Sequence, residues 1–349
     1  MSGVTSRRMT LGLALSGPGG VTKFRNMLAS AQMAEGCGFD FLWLTDRPGL
    51  DPITMAAALA ATTQRIGLIP SCAAPYHRPY NLARRLASID HISRGRMGWM
   101  LQPVADAALA SKFGNLPLAD VATAHAVAAE FAGVVAALWD SWDDDAFIRD
   151  KASGLYFDRA KFHWLDHQGA AFKVRGPLDT ARPPQGLLPL LIAGGSALAE
   201  QLAAGQGEIL HGLPADLRAA QGERAVMSRR LEQAGRAPAA LRMLPGILPI
   251  LGRTPTALPS GPGPLPVLGT PEAIAGTLCE WFDSGAADGF IIHLPDTADA
   301  IEAFAAGVIP VLQRHGAWQP SPLGATLRDM LGLGHAPSRY AEQAAQAVA

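Results

Sequence analysis

Along most of the chain a short apolar run, roughly four to eight residues long, is followed by a stretch with helical spacing, and the alternation repeats. Residues 9–16 read as a first strand and 23–35 as its helix; 41–46 is a second strand, followed by a helix that Asp51 caps and Pro52 opens. Residues 65–72 form a third strand backed by helix 80–92, and 97–102 a fourth backed by a long helix over 119–139. The rhythm then breaks. Residues 140–186, rich in Asp, Gly, Pro and His, are too long for an ordinary connection and are expected to pack over the barrel as an insertion. Strand 188–193 resumes with a helix from Ser196, then a weak strand 208–212, helix 214–234 and strand 241–251. Residues 254–269, dense in proline and glycine, read as a linker without regular structure. Helix 271–284, strand 289–294, a closing helix over 298–314 and a tail over 315–349, read as a loop plus one helix, complete the chain.

Eight strands, each paired with a helix, define an α/β chain whose fold is a (β/α)8 TIM barrel spanning 1–349 as a single domain, with its insertion after the fourth βα unit. A doubly wound open sheet is the alternative. Composition fits a sheet buried on both faces: 49% of residues are hydrophobic and only 17% charged. A formal net charge of -1 removes any footprint for nucleic acid or an anionic membrane. Cys37, Cys72 and Cys279 form no CxxC pair, which suits a reducing, cytoplasmic compartment. Arg7 and Arg8 are followed by no signal-like apolar segment, and 131–139 is too short an apolar run to cross a bilayer. His163 and His167 have a four-residue spacing but too few companions for a metal site, so none is expected. Trp139 and Trp142 read as core anchors, and Arg84 or Arg85 as an ion-pair member.

Several long strings carry a resemblance: DPITMAAALAATTQRIG from Asp51, YHRPYNLARRLASIDHISRGRMGW from Tyr76, RPPQG from Arg182, GTPEAIAGTLCEWFDSGAADGF from Gly269 and LQRHGAWQPSPLGATLRDMLGL from Leu312. With the segment 138–176 they cover most of the chain, which resembles the nitrilotriacetate and dibenzothiophene-sulfone branch of the bacterial luciferase-like, flavin-dependent monooxygenases. The resemblance implies FMN held at the carboxyl ends of the strands, reduced flavin supplied by a separate flavin reductase, a small organic substrate and a homodimer. Such chemistry needs no catalytic triad or metal, because the flavin carries it and the protein positions the ring, holds the phosphate and excludes water.

On that resemblance Asp46 stands where relatives place an acid near the flavin, or else simply caps the next turn. Ser71 is retained from a hydroxyl-rich string at the end of strand three, whereas Ala73, Ala74 and Pro75 depart from it. Ile69–Pro70 is expected to be trans. Met100 replaces an asparagine that faces the flavin in relatives; methionine has no hydrogen to donate, and Gln102 is the nearest polar substitute. The segment 115–123 lacks the histidine, arginine and tyrosine of relatives, and His125 reads as an ordinary helix residue. Gly194, Gly195 and Ser196 open a helix where relatives bind the FMN phosphate; glycine backbones and the helix start favour an anion there, and Ser196 equally suits an N-cap. The lid between strand seven and the next helix is reduced to 254–269. Two functions therefore stand: an FMN-dependent monooxygenase with an altered pocket, or a non-catalytic, weakly flavin-binding barrel acting as a partner subunit. A deazaflavin-using oxidoreductase is a distant third. No catalytic residue can be named from these strings.

Overall fold

The computed structural model describes residues 7–15, 24–46, 49–104, 107–113, 119–252 and 263–340. Eight parallel strands close on one another. They are β1 (Thr10–Leu15), β2 (Phe41–Leu44), β3 (Gly67–Ala73), β4 (Trp99–Gln102), β5 (Leu190–Ala193), β6 (Ile209–His211), β7 in two pieces (Arg242–Met243 and Gly246–Leu251) and β8 (Gly289–His293). Closure runs from β8 to β1, where Thr10 pairs with Gly289 and Ala14 with His293. The break in β7 has a plain cause. Pro245 has no N–H to donate, yet Leu244 N–H still reaches the Leu210 carbonyl and Gly246 N–H the Gly212 carbonyl, so β7 stays paired with β6 across it.

Helices start where a side chain can take up an orphan N–H. Asp51 accepts from Thr54 N–H at 2.7 Å, ahead of Pro52–Thr62, and Thr270 accepts from Ala273 N–H ahead of Pro271–Asp283. The closing helix expected over 298–314 is two helices, Ala298–Gly307 and Ile309–His315, because Pro310 cannot continue the ladder of the first. The 19-residue helix Val121–Trp139 is long and apolar enough to cross a membrane by composition, but it lies in the barrel's outer layer with Phe131, Val135 and Leu138 buried. Trp139 donates to the Ala83 carbonyl at 3.0 Å and Trp142 to the Leu178 carbonyl at 2.8 Å, as core anchors should.

Two more expectations are sharpened. The linker 254–269 is not wholly irregular: Leu265–Gly269 is a strand, parallel to Ile247–Leu251, taking the edge that β7 exposes once it has left β8. Residues 253–262, the rest of that linker, lie outside the described residues. The insertion 140–186 does not cover the carboxyl end. It follows a helix and precedes a strand, so it lies beneath the amino ends, where Gln185 donates to Asp90 Oδ1 at 2.8 Å and to the Met97 carbonyl at 2.7 Å, just before β4. Ile69–Pro70 is trans as expected; the cis bond among the described residues is Gly176–Pro177.

The tail shares that lower face. Its short helix Leu327–Met330 sends Leu327 and Leu331 into the barrel, against Phe41, Ile69, Met100, Leu191, Ile209, Leu244 and Ile291. Arg328 ties this plug to Glu208 at 2.6 Å, while Arg182, buried, pairs with buried Asp140 at 2.9 Å and donates to the Ala336 carbonyl. A second, larger core lies between strands and helices. The barrel is thus filled and plugged from below, leaving the upper rim for function.

Candidate active site

At the carboxyl ends the lumen is closed by aromatic side chains. Trp43 on β2 reaches His211 on β6, four strands away around the barrel, with ring centroids 5.0 Å apart at 65°. His293, the last residue of β8, lies 6.1 Å from Trp43 edge-on and 5.4 Å from His211 in a stack. The indole N–H of Trp43 donates to Ser71 Oγ at 3.0 Å. Trp43 and His293 are half-buried and so reach towards the mouth; Ser71 and His211 are buried behind them.

His211 is held on two sides. Its Nδ1 lies 3.2 Å from the Leu244 carbonyl. A carbonyl can only accept, so Nδ1 carries the hydrogen and Nε2 keeps its lone pair. Burial pushes its pKa down to about 4, with the Leu244 carbonyl pulling weakly the other way, and the ring is neutral. Gly246 makes room for it: a Cβ there would lie 2.5 Å from His211 Cε1.

The expected site residues fall into two groups. Ser71 belongs to the plate. Met100, its register partner on β4, is 7% exposed and packs in the lumen core, so its side chain adds apolar contact. Gln102, at the end of β4, is half-buried opposite Ala73. Asp46 is exposed just past β2; partial desolvation and then nearby Asp51 raise its pKa. It does not join the plate. Gly194, Gly195 and Ser196 form the turn from β5 into the helix Ala197–Gln206. Ser196 is the N-cap, accepting from Ala199 N–H at 3.1 Å, and so is already engaged as a cap. Gly195 has φ +99, a conformation glycine tolerates, and a Cβ there would meet nothing within 4 Å, so the turn is open above its backbone. An anion fits there. One neighbour opposes it: Glu223 Oε1 would lie 3.5 Å from a Cβ on Gly194, and burial followed by Glu200 raises its pKa.

Sequence reasoning missed Trp43, His211 and His293. A signal existed, since both histidines end otherwise apolar strands at the functional rim. Elsewhere the histidines are structural: His163 meets Asp143 at 3.1 Å and stacks on Tyr340, and His167 meets Glu130 at 3.0 Å. Among the described residues no cluster could hold a metal ion. Arg85 pairs with Asp51 at 3.7 Å on the surface. The segment 114–118 lies outside the described residues.

A parallel eight-stranded barrel, plugged from below and carrying polar and aromatic side chains at its carboxyl rim, defines an enzyme-type barrel. Comparison with known proteins gives this class a family. Residues 8–260 match the luciferase-like monooxygenase family, and the chain belongs to it. It is 31% identical to the N-acetyl-S-(2-succino)cysteine monooxygenase of Bacillus subtilis (strain 168), covering 89% of this chain and 90% of the relative. It is also 31% identical to the nitrilotriacetate monooxygenase component A of Aminobacter aminovorans, over 81% of this chain and 79% of that one. Among solved structures it is similar to the EDTA monooxygenase of Chelativorans sp. BNC1, with a TM-score of 0.84 and 27% identity, covering 95% of this chain and 100% of the other. Members of the family are flavin-dependent monooxygenases that use reduced FMN.

Proposed function

We propose that this protein is the oxygenating component of a two-component monooxygenase, a cytoplasmic homodimer that takes reduced FMN from a separate flavin reductase and oxygenates a small organic substrate. The observation carrying this reading is that the open Gly194–Ser196 turn and the Trp43–Ser71–His211–His293 plate occupy one rim of the barrel. Backbone N–H groups at the start of the helix Ala197–Gln206 would hold the phosphate, where the helix end adds positive potential. The bound flavin supplies the oxygen chemistry. The chain's own part is to orient the ring and keep the lumen dry beneath it through Ile69, Met100, Leu191 and Ile291.

A second reading, a barrel that binds flavin weakly and serves as a partner subunit, is favoured by Met100, which puts a thioether where a hydrogen-bond donor would help. Titration of the purified protein with FMN and with reduced FMN separates the two. The oxygenase reading expects reduced FMN to bind tighter than about millimolar, the weak end of specific affinity, and to be reoxidised with product rather than free hydrogen peroxide once the substrate is found. No binding in either redox state sinks it; binding with reoxidation that always yields free hydrogen peroxide supports the partner-subunit reading. Sedimentation of the same sample checks the dimer.

A further inference from the structure

Beneath the barrel, between the plug and the amino ends of β1, β7 and β8, lies a cavity of about 400 Å³ that neither the rim nor the core accounts for. Three arginines line it, each held by backbone carbonyls. Arg7 donates to those of Phe282 and Ala287 at 3.1 and 2.9 Å, Arg8 to that of Gln319 at 2.6 Å, and Arg242 to those of Leu331 and Gly332 at 2.5 and 2.9 Å. Carbonyls fix these groups without cancelling their charge, and a guanidinium has five N–H groups, more than such bonds use. Arg8 Nη1 is buried with no hydrogen-bond partner among the described residues.

Two acids share the lining, and both are engaged already. Asp288 accepts from Arg224 at 2.6 Å and from Met243 N–H at 2.9 Å, and meets Arg7 only at 3.5 Å. Asp329 accepts from Thr326 N–H at 2.9 Å in the capping box that starts the plug helix. Asp40, the partner of Arg8 at 2.6 Å, is buried and outside the lining. Phe282, Met330 and Leu331 give the cavity an apolar wall. Its size suits a small molecule, and the planar arginine fork matches a carboxylate or a phosphate.

We propose that this cavity is a second binding site, for a small organic anion whose carboxylate or phosphate meets Arg7, Arg8 and Arg242 while its apolar body lies on Phe282, Met330 and Leu331. Arg8 belongs to the barrel and Leu331 to the plug, so the bound anion joins the two. The site does not rest on the flavin reading.

Calorimetric titration of the full-length protein at constant ionic strength tests it, with phenyl phosphate, phenylacetate, inorganic phosphate and benzyl alcohol in separate arms. At least one aromatic anion is expected to bind tighter than about millimolar, and the tighter of the two names the anionic group. Inorganic phosphate should bind about tenfold weaker or less, for want of an apolar body, and benzyl alcohol not at all. Arg7→Gln should weaken the tighter ligand about five- to tenfold. Arg218→Gln, which removes the same charge from an exposed position on an outer helix, should leave it within about twofold. A second measurement needs no variant: in ¹⁵N spectra of the wild-type protein the ligand should move the amide signals of Thr10, Asp288, Leu331 and Gly332, whether or not Gly194 and Gly195 at the rim respond. Movement confined to Gly194 and Gly195, equal weakening by both substitutions, or binding of neither aromatic anion would overturn the proposal.

Discussion

Within a few ångströms of the Gly194–Ser196 turn, two features act on a phosphate with opposite sign. The helix start attracts it; Glu223, beside Gly194 and Gly212, repels it. Replacing Glu223 by Gln keeps the shape and removes the charge, so FMN should bind about three- to tenfold tighter at low ionic strength, with the gain shrinking as salt is added. Fluorescence titration at two salt concentrations would show it, and weaker binding would mean that Glu223 helps to shape the turn. Gly246→Ala tests the neighbouring strand: its methyl group would drive His211 from its place and cost about 1–3 kcal/mol in denaturant unfolding. The turn was legible in the sequence because glycine and serine before a helical pattern have few structural meanings. The plate was not, since β2 and β6 are four and three residues long and apolar on both faces, so no alternation tells which residues point inward.

Among the elements, the insertion stands out by its composition, which does not say against which end of the barrel it packs. The order of elements held the answer: a segment that leaves a helix and enters a strand lies at the amino ends, opposite the functional rim. There it joins the tail in one network, through Arg182, Asp140, Gln185 and Arg328. The tail is expected to hold one helix, but its place as a plug could not be read, because a four-residue helix gives no period from which to tell an inward face. Its role is testable. Leu327 is fully buried in the lumen, so Leu327→Ala should destabilise the protein by about 2–4 kcal/mol. Flavin affinity of the folded fraction should be unchanged, because the plate lies at the far end. A loss of affinity without loss of stability would contradict this division between the two ends.

For the molecule as a whole, two buried groups tilt stability against pH in opposite directions. Burial raises Asp90 to about 7 from the ordinary 3.8, against the pull of the Met97 and Gln185 hydrogen bonds, and its Oδ2 has no hydrogen-bond partner among the described residues. The folded protein therefore holds a proton that the unfolded chain has released, and this contribution fades as pH rises from about 4 to about 7. His211, lowered to about 4 from 6.5, does the reverse: its contribution is complete above about 6.5 and fades as pH falls towards 4. Asp90→Asn leaves the second slope alone. Its Tm should rise more steeply than that of wild type between pH 4.5 and 7.5, a relative gain on the order of 1–3 kcal/mol. Parallel Tm curves would show that Asp90 ionises freely in the fold.

Placing the insertion below the barrel also settles how the protein is best handled. Tyr156 and Trp164 are exposed on that segment, on the side away from the rim. A tether or dye attached there holds the barrel by its base, and on a sensor chip every molecule would present its carboxyl rim to whatever flows past.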